Sequence, residues 1–219
     1  MIPKILHQIW LGPYRIPKRE QECHNAIKRQ HPTWECNLWK DADTVGLGMP
    51  ERTKLAFDYW GKQGNYVGQS DILRLFLVKE FGGVYMDIDM EPRQGFEGID
   101  LSKASSFFCW HDTDDVVATF PNTTFGSAKN SKIFTYFNDN IRDPGQWHSP
   151  SDLARMVKSY FGVEGAIRHL GDDGILKYFE RENSHMMPWE DFHNKHFFHH
   201  SLYSWDSNNK AKFERGDYE

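Results

Sequence analysis

The sequence has little of what would assign it to several other protein classes. Its 219 residues include only 3 cysteines, and none of them forms a Cys-x-x-Cys pair. This spacing argues against a disulfide framework or a four-cysteine zinc site, and it favours a reducing compartment. No run of about 18 apolar residues is present, so we expect no membrane span. The 26 Lys and Arg against 31 Asp and Glu give a formal net charge of -5, which gives no reason to expect nucleic-acid binding.

What the sequence does contain is material for a large hydrophobic core. Aromatic residues make up 15% of the chain, which excludes a disordered protein. The length suits one domain, and we expect a single α/β domain over residues 1–219. The first ten residues lack the basic-then-apolar layout of a signal peptide and indicate a first strand instead. We therefore expect a soluble, cytoplasmic protein.

Alternation of helix and strand patterns predicts the α/β class. A strand is predicted over Lys4–Trp10, a helix over Pro17–Gln30 and a second strand over Trp34–Trp39. Further strands are predicted at Ser105–Trp110, Val116–Phe120 and Phe197–Trp205, and further helices at Ser131–Ile141, Ser151–Phe161 and Gly174–Glu182.

The strongest local pattern is a helix predicted over Ser70–Phe81. Ser70 is a suitable N-cap, and Asp71 would lie in the first turn, where the helix dipole favours a carboxylate. The pair Gly82-Gly83 would end the helix. The next residues, Val84–Asp89, predict a strand that ends in two carboxylates.

The carboxylates of Asp87 and Asp89 are two residues apart. On a strand this spacing puts both on one face, where their charges repel unless a cation or a donor lies between them. Mg2+ and Mn2+ prefer carboxylates together with phosphate oxygens and water. In open α/β sheets, ligands bind beyond the carboxyl ends of strands. An Asp-x-Asp sequence without further context is more often a solvated strand end or a turn than a metal site. The residues around Asp87 and Asp89 must therefore distinguish between these possibilities.

Those residues resemble a known family. The run SDILRLFLVKEFGGVYMDIDMEP (Ser70–Pro92) resembles the signature of the DXD-motif sugar transferases, which include the yeast initiating mannosyltransferase and bacterial and viral capsule-type transferases. The opening IPKILHQIWLG (Ile2–Gly12) and the later HHSLYSW (His199–Trp205) are similar to two further elements of that family. The resemblance implies a GT-A fold with one Rossmann-like mixed sheet flanked by helices. It also implies a nucleotide-sugar donor and Mn2+, or Mg2+. The lack of an N-terminal anchor favours a bacterial or virus-encoded enzyme over a Golgi one.

The resemblance also implies roles for single residues. Asp89 would ligate the metal directly. Asp87 would contact the ribose or the sugar of the donor, and would reach the metal through a water molecule. Asp71 and Arg74, on one face of the helix, would hold donor sugar hydroxyls, the alternative being an intrahelical ion pair. Trp10 would stack on the nucleotide base, the alternative being a core tryptophan.

The C-terminal motif is expected to complete the site. His200 or His199 would join the metal, and Ser204 and Trp205 would close over the diphosphate. Zinc binding by the histidine-rich segment from His193 is the weaker alternative, because no cysteine accompanies it.

Other residues receive structural or secondary roles. Tyr85 and the Gly82-Gly83 turn are expected to be scaffold, and His7 a structural histidine. Asn122 and the segment Thr123–Gly126 are candidates for lining the sugar pocket.

The function predicted is a metal-dependent hexosyltransferase that moves a sugar from a nucleotide-diphosphate sugar to a glycan acceptor. A UDP-sugar is favoured and a GDP-sugar is the second choice. The alternatives are a metal-dependent nucleotide-sugar phosphohydrolase or nucleotidyltransferase, and a non-catalytic carbohydrate-binding module. Retention or inversion stays open, with Asp172, Asp173 and Glu190 as unplaced candidates for a catalytic base.

Overall fold

A six-stranded mixed sheet lies at the centre of the computed structural model, which describes residues 1–110, 120–142, 149–162 and 182–200. The strands are β1 (Ile5–Ile9), β2 (Glu35–Trp39), β3 (Gly83–Met86), β4 (Met90–Pro92), β5 (Ser106–Trp110), β6 (Thr124–Ser127), β7 (Ser184–Pro188) and β8 (Phe197–His199). The helices are α1 (Lys18–Gln30), α2 (Glu51–Lys62), α3 (Tyr66–Phe81), α4 (Lys132–Asp139), α5 (Ser149–Phe161) and the single turn α6 (Trp189–Asp191). A 3-10 turn (Asp41–Thr44) and a π-helical turn (Phe192–His196) complete the elements.

The strand order in the large sheet is β2-β1-β3-β6-β5-β7. Strand β1 pairs in parallel with β2 and β3, so the carboxyl ends of these three strands meet at one edge. Strand β6 runs antiparallel to both β3 and β5, and β7 runs parallel to β5. Strands β4 and β8 form a separate antiparallel pair. The predicted α/β class with a mixed sheet is therefore confirmed.

Helices cover both faces of the sheet because successive strand residues point to opposite faces. In β3, Tyr85 belongs to the cluster that includes buried residues of α2, α3, α4 and α5. Its neighbours Val84 and Met86 belong to the other cluster, with Ile27 of α1. Phe107 and Phe108 of β5 divide in the same way. Such strands are apolar along their whole length because both faces are buried.

Helix α3 ends as predicted but begins earlier. It ends at Phe81, and Gly82 follows it with a φ of 71°. It begins at Tyr66, with the side chain of Asn65 accepting a hydrogen bond from the Gly68 amide. Ser70 is therefore not the N-cap, and Asp71 does not lie in the first turn as predicted. The Asn65 cap adds a turn of helix before the apolar residues that defined the predicted boundary.

Strand β3 is shorter than predicted. It ends at Met86, and Asp87 and Asp89 lie in the turn that leads to β4. The prediction that both aspartates project from one face of a strand is therefore wrong. Their convergence has a different cause, the reversal of the chain between β3 and β4.

The remaining predictions agree with the structure in part. The strands and helices predicted in the first 40 residues, and those at 105–110, 131–141 and 151–161, are present with shifted ends. Helix α2 and strand β7 were not predicted. The predicted elements Val116–Phe120 and Gly174–Glu182 lie almost entirely outside the described residues, as does the C-terminal strand beyond His200. Within the described ranges, no helix has both the length and the apolar character needed to cross a bilayer.

The glycine pair that joins α3 to β3 is required by close packing. Gly83 has a φ of 94°, and a Cβ at this position would collide with the backbone carbonyl of Ile5. Gly64 also has a positive φ, of 65°, but a Cβ there would meet no atom within 4 Å. A side chain at Gly83 would therefore meet both backbone strain and a steric collision, whereas one at Gly64 would meet backbone strain alone.

We expect Gly83→Ala to lower the free energy of unfolding by about 3 kcal/mol or more, since strain and overpacking add. Gly64→Ala should cost only about 1 kcal/mol, the cost of the left-handed backbone alone. Urea denaturation of both variants measures the difference. Equal losses would show that β1 does not constrain the turn at Gly83.

Candidate active site

Two carboxylates and an imidazole converge at the edge of the sheet where β1 and β3 end. Potential ligand atoms of Asp87, Asp89 and His199 all lie within 4.8 Å of one another. The Nε2 atom of His199 is 3.3 Å from Oδ1 of Asp89. Among the described residues this is the only group of three acidic, histidine or cysteine side chains placed in this way.

Backbone pairing brings these side chains together across more than a hundred residues of sequence. Strand β8 pairs with β4 so that His199 is the partner of Met90, one residue after Asp89. The His200 amide donates to the Asp89 carbonyl at 3.2 Å. On the other side, the Asp87 amide donates to the Thr123 carbonyl at 2.8 Å, just before β6. The turn is thus held between β8 and the start of β6.

A buried arginine forms the base of the site. Arg74 lies on α3, and Nη2 is 3.0 Å from Oδ1 of Asp71, while Nη1 is 3.5 Å from Oδ1 of Asp87. The Arg74 guanidinium also donates to the carbonyls of Asn122 at 2.6 Å and Ser70 at 3.2 Å. Burial alone would lower the pKa of Arg74, but Tyr85 and the two aspartates raise its pKa, so it keeps its positive charge.

Tyr85 contributes more than scaffold, which corrects the prediction from sequence. Its hydroxyl donates to Oδ1 of Asp87 at 2.5 Å, and the Arg74 guanidinium lies 4.5 Å from its ring centroid. Burial raises the pKa of Tyr85 well above its usual range, so the phenol stays protonated and remains a donor. A charge-assisted bond of this kind fixes one oxygen of Asp87.

The cluster combines negative charge with partial burial. Burial raises the pKa of Asp87, Arg74 opposes this rise and Asp89 adds to it. Burial would lower the pKa of His199, but the hydrogen bond to Asp89 and the charges of Asp89 and Asp87 raise it. Two adjacent carboxylates therefore need a positive partner, which the protonated imidazole or a cation can supply.

The donor set fits a divalent cation. Carboxylates suit Mg2+ and Mn2+, whereas imidazole suits transition metals. A site with two carboxylates and one imidazole therefore fits Mn2+ better than Mg2+.

Of the two histidines predicted for the metal, the structure brings only His199 to the aspartates. His200 lies beside Glu91, with Nε2 2.7 Å from the Glu91 Oε2 and 3.0 Å from Nη2 of Arg19. His199 is the last residue of β8 and His200 follows the strand, and their side chains contact different carboxylates. The segment's other histidines bond elsewhere, His196 to the Gly95 carbonyl and His193 to the His199 carbonyl. This arrangement gives no support to the zinc alternative.

Of the other predicted site residues, Asn122 and Trp10 lie near the cluster. Asp71 also accepts a hydrogen bond from the Asn122 side-chain amide at 3.2 Å, which brings the candidate Asn122 into the site. Trp10 follows β1 at the same edge, half-buried, and its indole donates to the Tyr14 carbonyl at 2.9 Å. Ser204 and Trp205 lie outside the described residues, as do Asp172 and Asp173. Glu190 lies on the short helix α6.

His7 is a structural histidine, as expected. Its Nε2 atom is 2.8 Å from the Gly82 carbonyl oxygen, and its Nδ1 atom accepts from the Trp39 indole at 3.1 Å. Burial lowers its pKa to about 4, so the imidazole is neutral at physiological pH.

Comparison with known proteins identifies the region that carries this site. Residues 17–108 match the family model described as glycosyltransferase sugar-binding region containing DXD motif. The resemblance predicted from the sequence is therefore confirmed, and this region, which includes Asp71, Arg74 and the two aspartates of the cluster, matches that family model.

Two curated relatives cover parts of the chain. An uncharacterized glycosyltransferase of Acanthamoeba polyphaga mimivirus is 27% identical over 143 residues, which are 64% of this chain and 56% of the relative. Inositol phosphoceramide mannosyltransferase 1 of Schizosaccharomyces pombe is 31% identical over 107 residues, which are 48% of this chain and 33% of the relative. The chain thus matches about half of the first relative's length and a third of the second's.

A solved structure confirms the fold. The PaToxG glycosyltransferase superposes with a TM-score of 0.64 at 18% identity, covering 83% of this chain and 75% of that one. The mixed sheet flanked by helices is therefore of the GT-A type, as the sequence resemblance implied.

The contacts of Arg74 predict a strong effect from a conservative change. Lysine keeps the charge but cannot bond two carboxylates and two carbonyls at once. We expect Arg74→Lys to lower the free energy of unfolding by about 3 kcal/mol, in the range found when a buried ion pair is broken. Arg29→Lys, at an exposed position near the end of α1, should change it by less than about 0.5 kcal/mol. Chemical denaturation of the two variants tests this, and similar values for both would contradict the role given to the Arg74 fork.

Proposed function

We propose that this chain is a metal-dependent glycosyltransferase that moves a sugar from a nucleotide-diphosphate sugar to a carbohydrate acceptor, within a single domain. The observation that carries the proposal is the convergence of Asp87, Asp89 and His199 beside the buried Arg74–Asp71 pair. That convergence lies at the carboxyl edge of parallel strands, where α/β proteins bind ligands. The family match over residues 17–108 and the names of the relatives support the same reaction class.

In this proposal Asp89, Asp87 and His199 hold Mn2+. When bound, a divalent cation offsets the negative charge that grows on the leaving diphosphate. Tyr85 and Arg74 each contact Oδ1 of Asp87, so the carboxylate is oriented before any ligand arrives. Such preorganisation avoids the cost of rearranging charged groups during the reaction.

The donor sugar is assigned to the side of the site where Asp71 and Arg74 lie. Both side chains are about 7% exposed. A carboxylate held by a guanidinium is an acceptor for sugar hydroxyls of fixed direction. Asn122, which donates to Asp71 and accepts from Arg74, would hold this pair in place beside the sugar.

The nucleotide base is assigned to Trp10. Its ring is half-buried at the end of β1, on the same edge as the aspartates. Stacking on an aromatic ring contributes about 1–3 kcal/mol and depends little on the base. Stacking on Trp10 therefore does not distinguish a UDP-sugar from a GDP-sugar. We favour the UDP-sugar because of the resemblance to the DXD-motif sugar transferases.

The decisive experiment separates glycosyl transfer from the alternative reactions by the bond that is cleaved. The purified chain is incubated with UDP- and GDP-hexoses, with and without Mn2+. A glycosyltransferase cleaves the bond between the anomeric carbon and the diphosphate, transfers the sugar to an acceptor or to water, and releases the nucleoside diphosphate. A phosphohydrolase cleaves the diphosphate and releases a nucleoside monophosphate with a sugar phosphate.

We expect Mn2+-dependent release of the nucleoside diphosphate, and we expect Asp89→Asn to reduce it by about 100-fold or more, beyond the usual effect of residues that only support a metal ligand. Asp58→Asn is the matched control, because this aspartate is on α2 in an exposed ion pair with Lys54. Release of a nucleoside monophosphate would favour the phosphohydrolase. Donor binding without cleavage in any acceptor mixture would favour a carbohydrate-binding module.

A further inference from the structure

A buried hydrogen-bonded chain links α1 to the turn that carries the aspartates. Nδ1 of His24 on α1 is 2.6 Å from Oε1 of Gln8 on β1. The other end of the same amide, Nε2 of Gln8, donates to the backbone carbonyl of Asp87 at 3.2 Å. Gln8 is fully buried and His24 is 6% exposed. Neither side chain was singled out by its sequence pattern, and neither has a part in the site described above.

The Asp87 carbonyl, the last acceptor, fixes which group donates and which accepts in each of these two hydrogen bonds. The Asp87 carbonyl can only accept, so the Gln8 nitrogen must face it and the Gln8 oxygen must face His24. That oxygen in turn requires a proton on Nδ1 of His24. Burial, with Lys28 and Lys40 nearby, lowers the pKa of His24, so the ring is neutral and carries one proton. The neutral Nδ1–H form is therefore the one that keeps the Gln8 amide pointed at Asp87.

The backbone of Asp87 is consequently held at both of its peptide groups. The Asp87 amide donates to the Thr123 carbonyl at 2.8 Å, and the Asp87 carbonyl accepts from Gln8 at 3.2 Å and from the Met90 amide at 3.4 Å. The Asp87–Ile88 peptide group, whose carbonyl Gln8 contacts, lies between the side chains of Asp87 and Asp89 in the polypeptide. Rotation of this peptide would move both carboxylates of the cluster, because they lie on either side of it.

Gln8 and His24 are buried beside apolar residues of the sheet and of α1, where a polar pair is costly unless it is fully bonded. The same face of the sheet carries Leu6 and Met86, and α1 covers it with Ile27. An apolar residue at either position would pack α1 onto the sheet at least as well. The packing of α1 against the sheet therefore does not by itself explain why position 8 is a glutamine and position 24 a histidine.

We propose that Gln8 and His24 are positioning residues, a relay that sets the orientation of the Asp87 peptide so that Asp87 and Asp89 converge with His199 on a divalent cation. This inference rests on the proposed function, because it assigns the relay to the metal site of that proposal. Partners behind metal ligands usually tune metal affinity by about 10–100-fold.

The test measures Mn2+ binding, not catalysis. Free Mn2+ is followed by its electron paramagnetic resonance signal as the protein is titrated, and thermal unfolding of each metal-free variant is recorded beside it. Gln8→Met and His24→Leu remove the relay with little change of volume. His31→Leu is the matched control, because this buried histidine at the far end of α1 bonds to the Ile27 carbonyl and the Phe96 amide.

We expect Gln8→Met and His24→Leu each to raise the Kd for Mn2+ by about 10–100-fold. The double variant should bind about as weakly as either single one, because both changes interrupt the same chain. His31→Leu should lower the melting temperature and leave the Kd unchanged.

Two further variants keep the test informative if an apolar change unfolds the protein. In His24→Asn the introduced side-chain amide occupies the place of Nδ1 and should preserve Mn2+ binding. In His24→Gln the amide reaches instead toward the place of Nε2, and binding should weaken.

Mn2+ binding within about twofold of wild type in both Gln8→Met and His24→Leu, with a fall in melting temperature like that of His31→Leu, would overturn the relay. Equal Kd values for His24→Asn and His24→Gln would do the same. A wild-type protein that binds no Mn2+ would overturn the proposed metal site itself, and the relay with it, so the two failures are told apart by the wild-type titration.

Discussion

The burial of the Arg74 charge is the constraint on which the rest of the site depends. A guanidinium in a largely apolar helix must be surrounded by acceptors, because an uncompensated buried charge costs several kcal/mol. The structure supplies Asp71 from the same helix, Asp87 from the turn after β3 and the Asn122 carbonyl from the residues before β6. One side chain thereby joins three segments that are distant in sequence. The position of Asp87 follows from this grouping.

The second half of the site depends on strand pairing. Nothing near Asp89 in sequence supplies an imidazole, and the antiparallel pairing of β4 with β8 brings one from position 199. Of the two adjacent histidines, His199 is the one whose imidazole lies 3.3 Å from the Asp89 carboxylate. Glu91 and Arg19 contact the other one and bond it on the outer side. The cluster therefore forms only in a chain whose first and last described segments are both folded.

Features of the fold and the site that depend on residues close together in the sequence can be predicted from the sequence. The end of α3 at a glycine pair, the strand before the aspartates and the pair Asp71–Arg74 at helical spacing were all predictable from neighbouring residues. The start of α3 was not, because Asn65 caps the helix ahead of its apolar part. Helix α2 was missed because it is largely polar and buries only Thr53 and Ala56.

Tertiary structure determines the rest. The sequence indicates two candidate histidines, and only the folded structure separates His199, which contacts Asp89, from His200, which contacts Glu91. Tyr85 is expected from the sequence to be scaffold, and its bond to Asp87 depends on the turn that follows. The Gln8–His24 pair depends on how α1 lies across β1, which no spacing within either element reveals.

The central claim is that one turn, held by Arg74, Tyr85 and the Asp87 peptide contacts, presents two aspartates and His199 to a single cation. A crystal structure of the protein grown with Mn2+, with data collected near the manganese absorption edge, tests it directly. The account predicts an anomalous difference peak within bonding distance of Asp89 and His199 and beside Asp87, with the Tyr85 hydroxyl still on Asp87. A peak between Glu91 and His200, or crystals with Mn2+ elsewhere and none at the aspartates, would contradict it.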